Sequence, residues 1–260
     1  MPPVALRPRS TTELIDAAVQ LLRQHYVELV TITAIFLMPA ILLSLLVPDV
    51  RTGTMPVGGQ IWTVLGGVLV AVVFALVSTA AIVIVVSDSY LGRDISIGSA
   101  VQRVFARFWS VFFVAIFQTL AVSLGFIFFI IPGFYLLGAF FASTVVVMIE
   151  GKSTFAAMGR SYHLASGSVG RILGVLILTG IIVGVIQAII AVGIALLARL
   201  VGLGTSFTNL ATNIVHLFIY PFATVVLTLL YYDLRIRKEG FDLEVMATEL
   251  GARTAPAPTA

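Results

Sequence analysis

Cysteine is absent from this chain of 260 residues, and charged side chains are scarce. Without cysteine, disulfides, thiolate metal sites and thiol nucleophiles are excluded. Charged residues make up only 10% of the chain, whereas soluble globular domains contain about 25%. Because so few charges cannot cover a surface that faces water, most of the exterior must contact lipid.

Motifs of the common enzyme classes are absent as well. The sequence contains no HExxH, no GxSxG, no glycine-rich phosphate-binding pattern and no cluster of carboxylates. We therefore expect no catalytic, metal-binding or cofactor-binding residues and no enzymatic activity. The least favoured alternative is an enzyme that acts on lipid headgroups through Asp or Glu side chains of the loops.

Long hydrophobic runs are abundant: 60% of the residues are hydrophobic, and the mean hydropathy is +1.12. A helix of about 20 apolar residues crosses a hydrocarbon core roughly 30 Å thick. Six runs without Asp, Glu, Lys or Arg come close to that length: 29–47, 61–86, 112–130, 134–149, 172–198 and 211–231. Since continuous apolar segments satisfy their backbone polar groups in lipid only as helices, these runs predict an all-α, polytopic membrane helical bundle with about six transmembrane helices. A single domain covers 1–250, and the composition of 251–260 predicts a disordered tail.

The third and fourth runs are joined by Ile131-Pro132-Gly133, which predicts a tight turn. The fourth run is short, so this pair is either a full hairpin or a re-entrant one. Both alternatives return the chain to the same side of the membrane.

Basic residues are distributed very unevenly between the two predicted sides. The N-terminal segment, the second connection and the fourth connection each carry three, and the C-terminal segment carries four. The opposite side carries only Arg51 and Arg199. The positive-inside rule therefore predicts that both termini are cytoplasmic.

Three basic segments have the pattern of amphipathic helices. Ser10-Thr11-Thr12-Glu13 forms a predicted capping box, and Ser96 and Ser153 are predicted N-caps of two further helices. Apolar residues at helical spacing follow each cap, with charged residues opposite. We expect cytoplasmic interfacial amphipathic helices, each followed by two membrane helices, in three weakly similar units.

Both ends of the chain resemble a known family of prokaryotic membrane proteins. Arg7-Pro8-Arg9-Ser10-Thr11-Thr12-Glu13-Leu14-Ile15-Asp16-Ala17-Ala18 resembles the first helix of the glycerophosphoryl diester phosphodiesterase membrane domain family. Its last segment is matched more specifically by Tyr231-Tyr232-Asp233-Leu234-Arg235-Ile236-Arg237-Lys238-Glu239-Gly240-Phe241-Asp242-Leu243. The similarity implies a stand-alone protein of the prokaryotic cytoplasmic membrane. We expect this chain to lack the catalytic domain that is fused to some relatives, and no catalytic positions carry over.

Four polar residues within the spans form the candidate intramembrane cluster: Gln118, Gln187, Asn213 and His216. Such residues either line a pathway or form hydrogen bonds between helices, and the second alternative is the commoner one. Arg103, Arg107 and Arg160 are candidate contacts to phosphate headgroups, although they also serve as positive-inside signals. Gly170, Gly174, Gly180 and Gly184 permit a close helix contact, either within the chain or with another copy.

The leading functional hypothesis is a non-catalytic multi-pass membrane protein that acts as a structural, regulatory, partner-binding or lipid-binding module. The expected partners are anionic lipid headgroups on the cytoplasmic side, with a protein partner or a second copy as a further expectation. Because the basic residues form no single patch, nucleic acid is not expected. The alternative is a transporter or permease-like protein for a small or lipidic solute, with the polar cluster lining a cavity.

Overall fold

A computed structural model describes residues 7–46 and 57–243 of the protein. These residues form ten helices: α1 (Thr11–Gln24), α2 (Tyr26–Leu46), α3 (Val57–Tyr90), α4 (Ile97–Ala106), α5 (Phe108–Phe128), α6 (Ile130–Ala139), α7 (Ser143–Glu150), α8 (Thr154–Ala165), α9 (Val169–Val201) and α10 (Thr205–Glu239). The all-α membrane-type bundle expected from the sequence is confirmed. Val47 at the end of the first run and the predicted tail 251–260 lie outside the described residues.

Five described segments are long and apolar enough to cross a membrane, and α1 with α2 makes a sixth if that pair is one span bent by 81°. Two predicted boundaries were wrong. The turn between the third and fourth runs lies at Phe129, whereas Ile131-Pro132-Gly133 belongs to the first turns of α6. Proline is accepted there because the first helical N–H groups have no intrahelical partner. The fourth run is also divided into α6 and α7 by a turn at residues 140–142.

The three predicted amphipathic helices are present as α1, α4 and α8, and each precedes a pair of longer helical segments. The capping box of α1 is complete, because the Ser10 side chain accepts from the Glu13 amide and the Glu13 side chain accepts from the Ser10 amide. Ser96 caps α4 by accepting from the Ser99 amide at 3.4 Å. Ser153 occupies the N-cap position of α8, but its side chain makes no capping hydrogen bond.

The bundle is closed at one end, which we name the basic end: the end formed by α1, α4, α8 and the C-terminal part of α10. Here α3 is buried on every side, with Ala80, Ala81, Ile82, Val83 and Val86 fully inaccessible. A helix that is apolar all round and buried all round needs neighbours on each face. Residues of α7 and α10 provide much of that cover.

The other end of the bundle is open. In α3, Leu65, Val68 and Leu69 are more than half exposed. Few residues of α9 are buried along its length. A Cβ built on Gly170, Gly174, Gly180 or Gly184 would meet no atom within 4 Å among the described residues. The predicted small-residue face of α9 is therefore not used for a close helix contact within the described part of the chain.

The arms of the α5–α6 hairpin differ in length, because α5 has 21 residues and α6 has ten. The base of α6 lies at the basic end, because a Cβ on Gly138 would approach Val169, the first residue of α9, to 2.9 Å. Ser161 of α8 also donates to the Ala139 carbonyl at 2.9 Å. The ten residues of α6 extend about 15 Å, whereas α5 extends about 31 Å. Both α5 and the segment Ile130–Glu150 are long enough to cross a 30 Å hydrocarbon core.

The tip of this hairpin is entirely apolar and highly exposed, with exposed fractions of 68–81% for Ile127, Phe128, Phe129, Ile130 and Ile131. Hydrogen bonds nevertheless satisfy part of the backbone where α5 ends and α6 begins. The Phe129 amide donates to Gly125 O at 3.0 Å, and its carbonyl accepts from the Gly133 amide at 3.3 Å. A turn with such side chains is compatible with hydrocarbon and unfavourable in water.

We expect a cysteine at the hairpin tip to be shielded by lipid, since the exposed side chains of the tip are all apolar. The native chain has no cysteine, so Phe129→Cys, Asp94→Cys and Leu203→Cys each introduce a single thiol. In sealed vesicles, a membrane-impermeant maleimide should label Asp94→Cys from one side and Leu203→Cys from the other. Phe129→Cys should react only after detergent is added. Labelling of Phe129→Cys from the same side as Leu203→Cys would show a full crossing instead.

Close contact between α5 and α6 depends on two glycines. A Cβ on Gly125 would lie 2.9 Å from Gly133 Cα, which is backbone and cannot move aside cheaply. Gly125→Ala should therefore destabilise the protein by about 1–3 kcal/mol through overpacking. Gly180→Ala is the matched control, because its Cβ enters open space and alanine is the better helix former. Thermal unfolding in detergent measures both, and equal behaviour of the two variants would refute the close contact.

Candidate functional site

The C-terminal part of α10 connects most of the elements at the basic end. Tyr232 shares a 2.6 Å hydrogen bond with Ser87 of α3, and Tyr231 donates to Glu150 of α7 at 2.8 Å. Lys238 donates to the Ser166 carbonyl at the end of α8. The segment that carries the most specific part of the family resemblance is therefore a structural centre of this bundle.

Asp233 is the most buried charged group of that segment, with 2% of its side chain exposed. Its carboxylate accepts from the Arg9 amide at 2.7 Å, from Arg171 at 2.8 Å and from Arg237 at 3.0 Å. Both guanidinium groups also donate to the Arg9 carbonyl, at 2.5 and 2.7 Å. The peptide group of Arg9 and two arginines thus hold the N-terminal segment and the start of α9 against α10.

Arg160, a predicted headgroup contact, lies between two carboxylates. Its Nε is 3.0 Å from both oxygens of Glu150, and its Nη2 donates to Glu239 Oε2 at 2.7 Å. Hydrogen bonding to Glu239, assisted by Glu150, raises the pKa of Arg160 above its ordinary value. Its charge is therefore engaged in joining the ends of α7 and α10 through α8.

Arg107, the second predicted headgroup contact, lies against the C-terminal end of α7. Its Nη1 donates to the Val147 carbonyl at 3.5 Å. The guanidinium lies against Gly151, where a Cβ would come within 2.6 Å of Nη2 and where φ is +71°. The positive φ favours glycine at this position, whereas the flexible Arg107 side chain could move away from a Cβ.

Arg103, the third predicted headgroup contact, lines a cavity of about 240 Å³ at the basic end. We name it the basic pocket. Arg93, Arg103 and Arg235 contribute three positive charges to its lining, and Asp88 contributes one negative charge. Tyr232, Ser87 and Phe241 complete its polar and aromatic walls.

Asp88 is the buried carboxylate that pairs with the arginines of the basic pocket. Its side chain is 5% exposed and forms an ion pair with Arg103, and Arg93 Nη1 lies 4.0 Å away. Arg235 is placed by its stacking over Phe241 at 4.0 Å and by an ion pair with Glu239 at 3.2 Å. Arg93 is 65% exposed, so its guanidinium group is accessible from outside.

Sequence reasoning missed Asp88, Arg93 and Arg235 as neighbours of Arg103. One signal was present: Asp88 is the first charged residue after a long apolar run, at the place where a span reaches the interface. A carboxylate at that boundary needs a cation nearby. The sequence contained no sign that Arg235 would reach the same place from the other end of the chain.

Three of the four predicted intramembrane polar residues meet in a cleft between α9 and α10. We name it the lateral cleft. It has a volume of about 460 Å³, and its lining includes Gln187 of α9 together with Thr212, Asn213 and His216 of α10. Gln118 on α5 is not among the lining residues.

A second cavity, of about 250 Å³, shares Asn213 and His216 with the lateral cleft. Its other walls come from α2 and α3 and include Leu37, Ala40 and Ala71. The polar stripe of α10 therefore faces a cavity on each side. Below it, Tyr220 shares a 2.8 Å hydrogen bond with Thr79 and donates to the Ala75 carbonyl at 3.1 Å.

The predicted hydrogen bonds between helices are not formed by this cluster. Among the described residues, no hydrogen bond involves the side chain of Gln118, Gln187, Asn213 or His216. His216 makes a ring contact with Tyr220, with centroids 5.5 Å apart. The polar groups in the lateral cleft consequently keep their hydrogen-bonding capacity.

Fold and sites together define a membrane-type helical bundle with a basic pocket at its closed end and an uncharged cleft towards its open end. In comparisons with protein-family models, curated proteins and solved structures, none matches this chain. The family resemblance seen in the sequence thus stays a prediction that rests on the quoted motifs.

Removal of the Asp233 charge should weaken the attachment of the N-terminal segment and α9. Asp233→Asn leaves Arg171 and Arg237 without their buried counter-ion, which should lower the free energy of unfolding by about 2–4 kcal/mol. The loss is measured as a lower melting temperature in detergent.

Asp16→Asn provides the control, since Asp16 is exposed and has no ion pair among the described residues. The same chemical change there should leave the melting temperature within about 1 °C, as expected for a surface site. If both variants melted like the native protein, the attachment through Asp233 would not contribute to stability.

Proposed function

We propose that this protein is a non-catalytic, multi-pass lipid-binding module of a prokaryotic cytoplasmic membrane. Its basic end would face the cytoplasm and engage anionic lipid headgroups. The sidedness and the type of membrane are supported by the uneven distribution of basic residues and by the resemblance described above. The basic pocket is the observation on which the proposal rests.

The chemistry of the basic pocket favours an anionic ligand. Three guanidinium groups and one carboxylate line the pocket, and Arg235 also pairs with Glu239. The net charge stays positive, which suits a phosphate group. Asp88 is already engaged by Arg103, so the exposed Arg93 has the greatest remaining capacity to bind. The apolar neighbours Leu91, Ile149 and Phe241 would accept the adjoining part of a lipid.

Catalysis on a headgroup would require more than this pocket offers. Within the described part of the chain, Asp88 is the only carboxylate that lines it. The described residues also contain no group of three His, Cys, Asp or Glu side chains placed to hold a metal ion. Recognition of lipid without chemical change is therefore the function that these residues support best.

A transporter for a small or lipidic solute is the second candidate, and the lateral cleft is the observation that favours it. A continuous path from the cleft to the basic end would have to pass the buried layer of α3 and α10, where Val83, Val226 and Leu230 are fully inaccessible. Transport would require these helices to separate, whereas binding does not.

Binding of short-chain lipids to the detergent-purified protein tests the proposal. Dihexanoylphosphatidylglycerol should bind more tightly than dihexanoylphosphatidylcholine, and the difference should shrink as salt is raised. Inorganic phosphate in a third arm separates recognition of the phosphate group from recognition of the whole lipid. Arg93→Gln should weaken phosphatidylglycerol binding about fivefold, which corresponds to about 1 kcal/mol for a charge-assisted hydrogen bond at an exposed site.

Arg93 is the better choice for substitution because Arg103→Gln would leave buried Asp88 without its closest partner. Arg199→Gln removes the same charge at the open end and serves as the matched control. Equal weakening by both variants would mean that binding reflects total charge alone and would contradict a specific pocket. A native protein that binds both lipids equally would contradict the proposal altogether.

A further inference from the structure

We infer that the lateral cleft binds the uncharged polar part of an amphiphile, such as the hydroxyl and ester groups of a neutral glycerolipid. This site is separate from the basic pocket and lies towards the other end of α10. The inference goes beyond the proposed recognition of anionic headgroups and does not depend on it.

Unsatisfied hydrogen-bonding groups are the first reason for this assignment. Gln187, Asn213 and His216 face the same cleft, and none has a side-chain hydrogen bond among the described residues. Their neighbours behave differently, because Thr212 donates to the Thr208 carbonyl at 2.8 Å. Polar side chains left without partners in hydrocarbon are costly, so a ligand with donors and acceptors would stabilise them.

Depth in the membrane is the second reason. Sixteen residues of α10 separate His216 from Tyr232, and nineteen separate Asn213 from it. These separations correspond to about 24 and 28 Å along the helix. If Tyr232 lies at one boundary of a 30 Å core, the polar stripe lies near the opposite boundary. The ester and hydroxyl groups of lipids are found at that level.

The absence of charge in the cleft determines the class of ligand. Among the described residues, no Asp, Glu, Lys or Arg lines the lateral cleft or the cavity that shares its polar stripe. Amide and imidazole groups offer both donors and acceptors, which match hydroxyl and ester groups. An anionic phosphate would find no counter-charge here.

The shape of the cleft accommodates an acyl chain beside those polar groups. Ala188, Ile190 and Ala191 form its apolar wall on α9, and Gly184 opens that wall further. Its volume of about 460 Å³ lies within the range of small-molecule sites, about 300–1,000 Å³. On the far side of α10, Leu37, Ala40 and Ile41 line a second apolar groove for a second chain.

Monoolein is a suitable probe, because it has two hydroxyl groups and an ester but no charge. Native mass spectrometry of the full-length protein in detergent would count bound monoolein, and a titration would give the affinity. We expect Asn213→Leu and His216→Leu each to weaken binding about tenfold, whereas Gln118→Leu, the polar span residue outside the cleft, should have no effect. 1-Octadecene, which has the chain without the polar group, should bind at least tenfold more weakly than monoolein.

Gly184→Leu tests the same site without removing a polar group. A Cβ at Gly184 meets no atom within 4 Å, so leucine can project into the cleft without disturbing the packed core. It should abolish monoolein binding, whereas Gly174→Leu, also open at its Cβ, should retain it. Unchanged melting temperatures would show that both variants fold.

Three results would overturn the inference. These are no saturable monoolein binding by the native protein, equal weakening by Gln118→Leu and Asn213→Leu, and a native dimer that Gly184→Leu converts to a monomer. The last would show that a second copy fills the cleft. Phosphatidylglycerol binding should stay unchanged in Gly184→Leu, which keeps this test independent of the basic pocket.

Discussion

The buried carboxylate of Asp233 is the constraint on which the arrangement of the basic end depends. A carboxylate with 2% of its side chain exposed is tolerated only if its charge and lone pairs are matched within the protein. Arg171 and Arg237 match the charge, and the Arg9 amide occupies a further lone pair. Satisfying this single group therefore fixes the N-terminal segment and the start of α9 against the end of α10, although more than 200 residues separate Arg9 from Asp233.

The same end of α10 organises the rest of that layer by similar means. Glu150 and Glu239 share Arg160, which attaches α8 to both α7 and α10. Asp88 engages Arg103 and so attaches α4 to the end of α3. Guanidinium–carboxylate pairs thus join α4 and α8 to the bundle. The segment before α1 is joined through the backbone of Arg9. Arginine suits this task because its planar group bonds two acceptors at once.

The close packing of the basic end contrasts with the loose packing of the open end. Side chains of α3, α7 and α10 pack closely at the basic end around the basic pocket. In contrast, most of α9 is exposed, and α9 and α10 border the lateral cleft. Charged and uncharged polar groups accordingly lie at different positions along α10. Charged groups gather where α10 meets the basic pocket, and uncharged amides and an imidazole lie some 24 Å away.

The sequence by itself determined the fold class, the approximate spans, the three amphipathic helices and two of their caps. Hydropathy, capping and helical periodicity act over about 3–20 neighbouring residues, so they can be recognised in the sequence alone. It also indicated Gln118, Gln187, Asn213 and His216 as a candidate polar cluster, because polar residues in apolar runs stand out individually.

Only the tertiary structure decided which residues meet. It excluded Gln118 from the cleft, placed Arg103 beside Arg93 and Arg235, and assigned Arg160 to two carboxylates. It also moved the hairpin turn to Phe129, where the approach of Gly125 to Gly133 sets the bend. Most of these outcomes depend on how elements far apart in the sequence meet, as Arg160 and Glu239 do across 79 residues, and no local pattern of side chains carries that information.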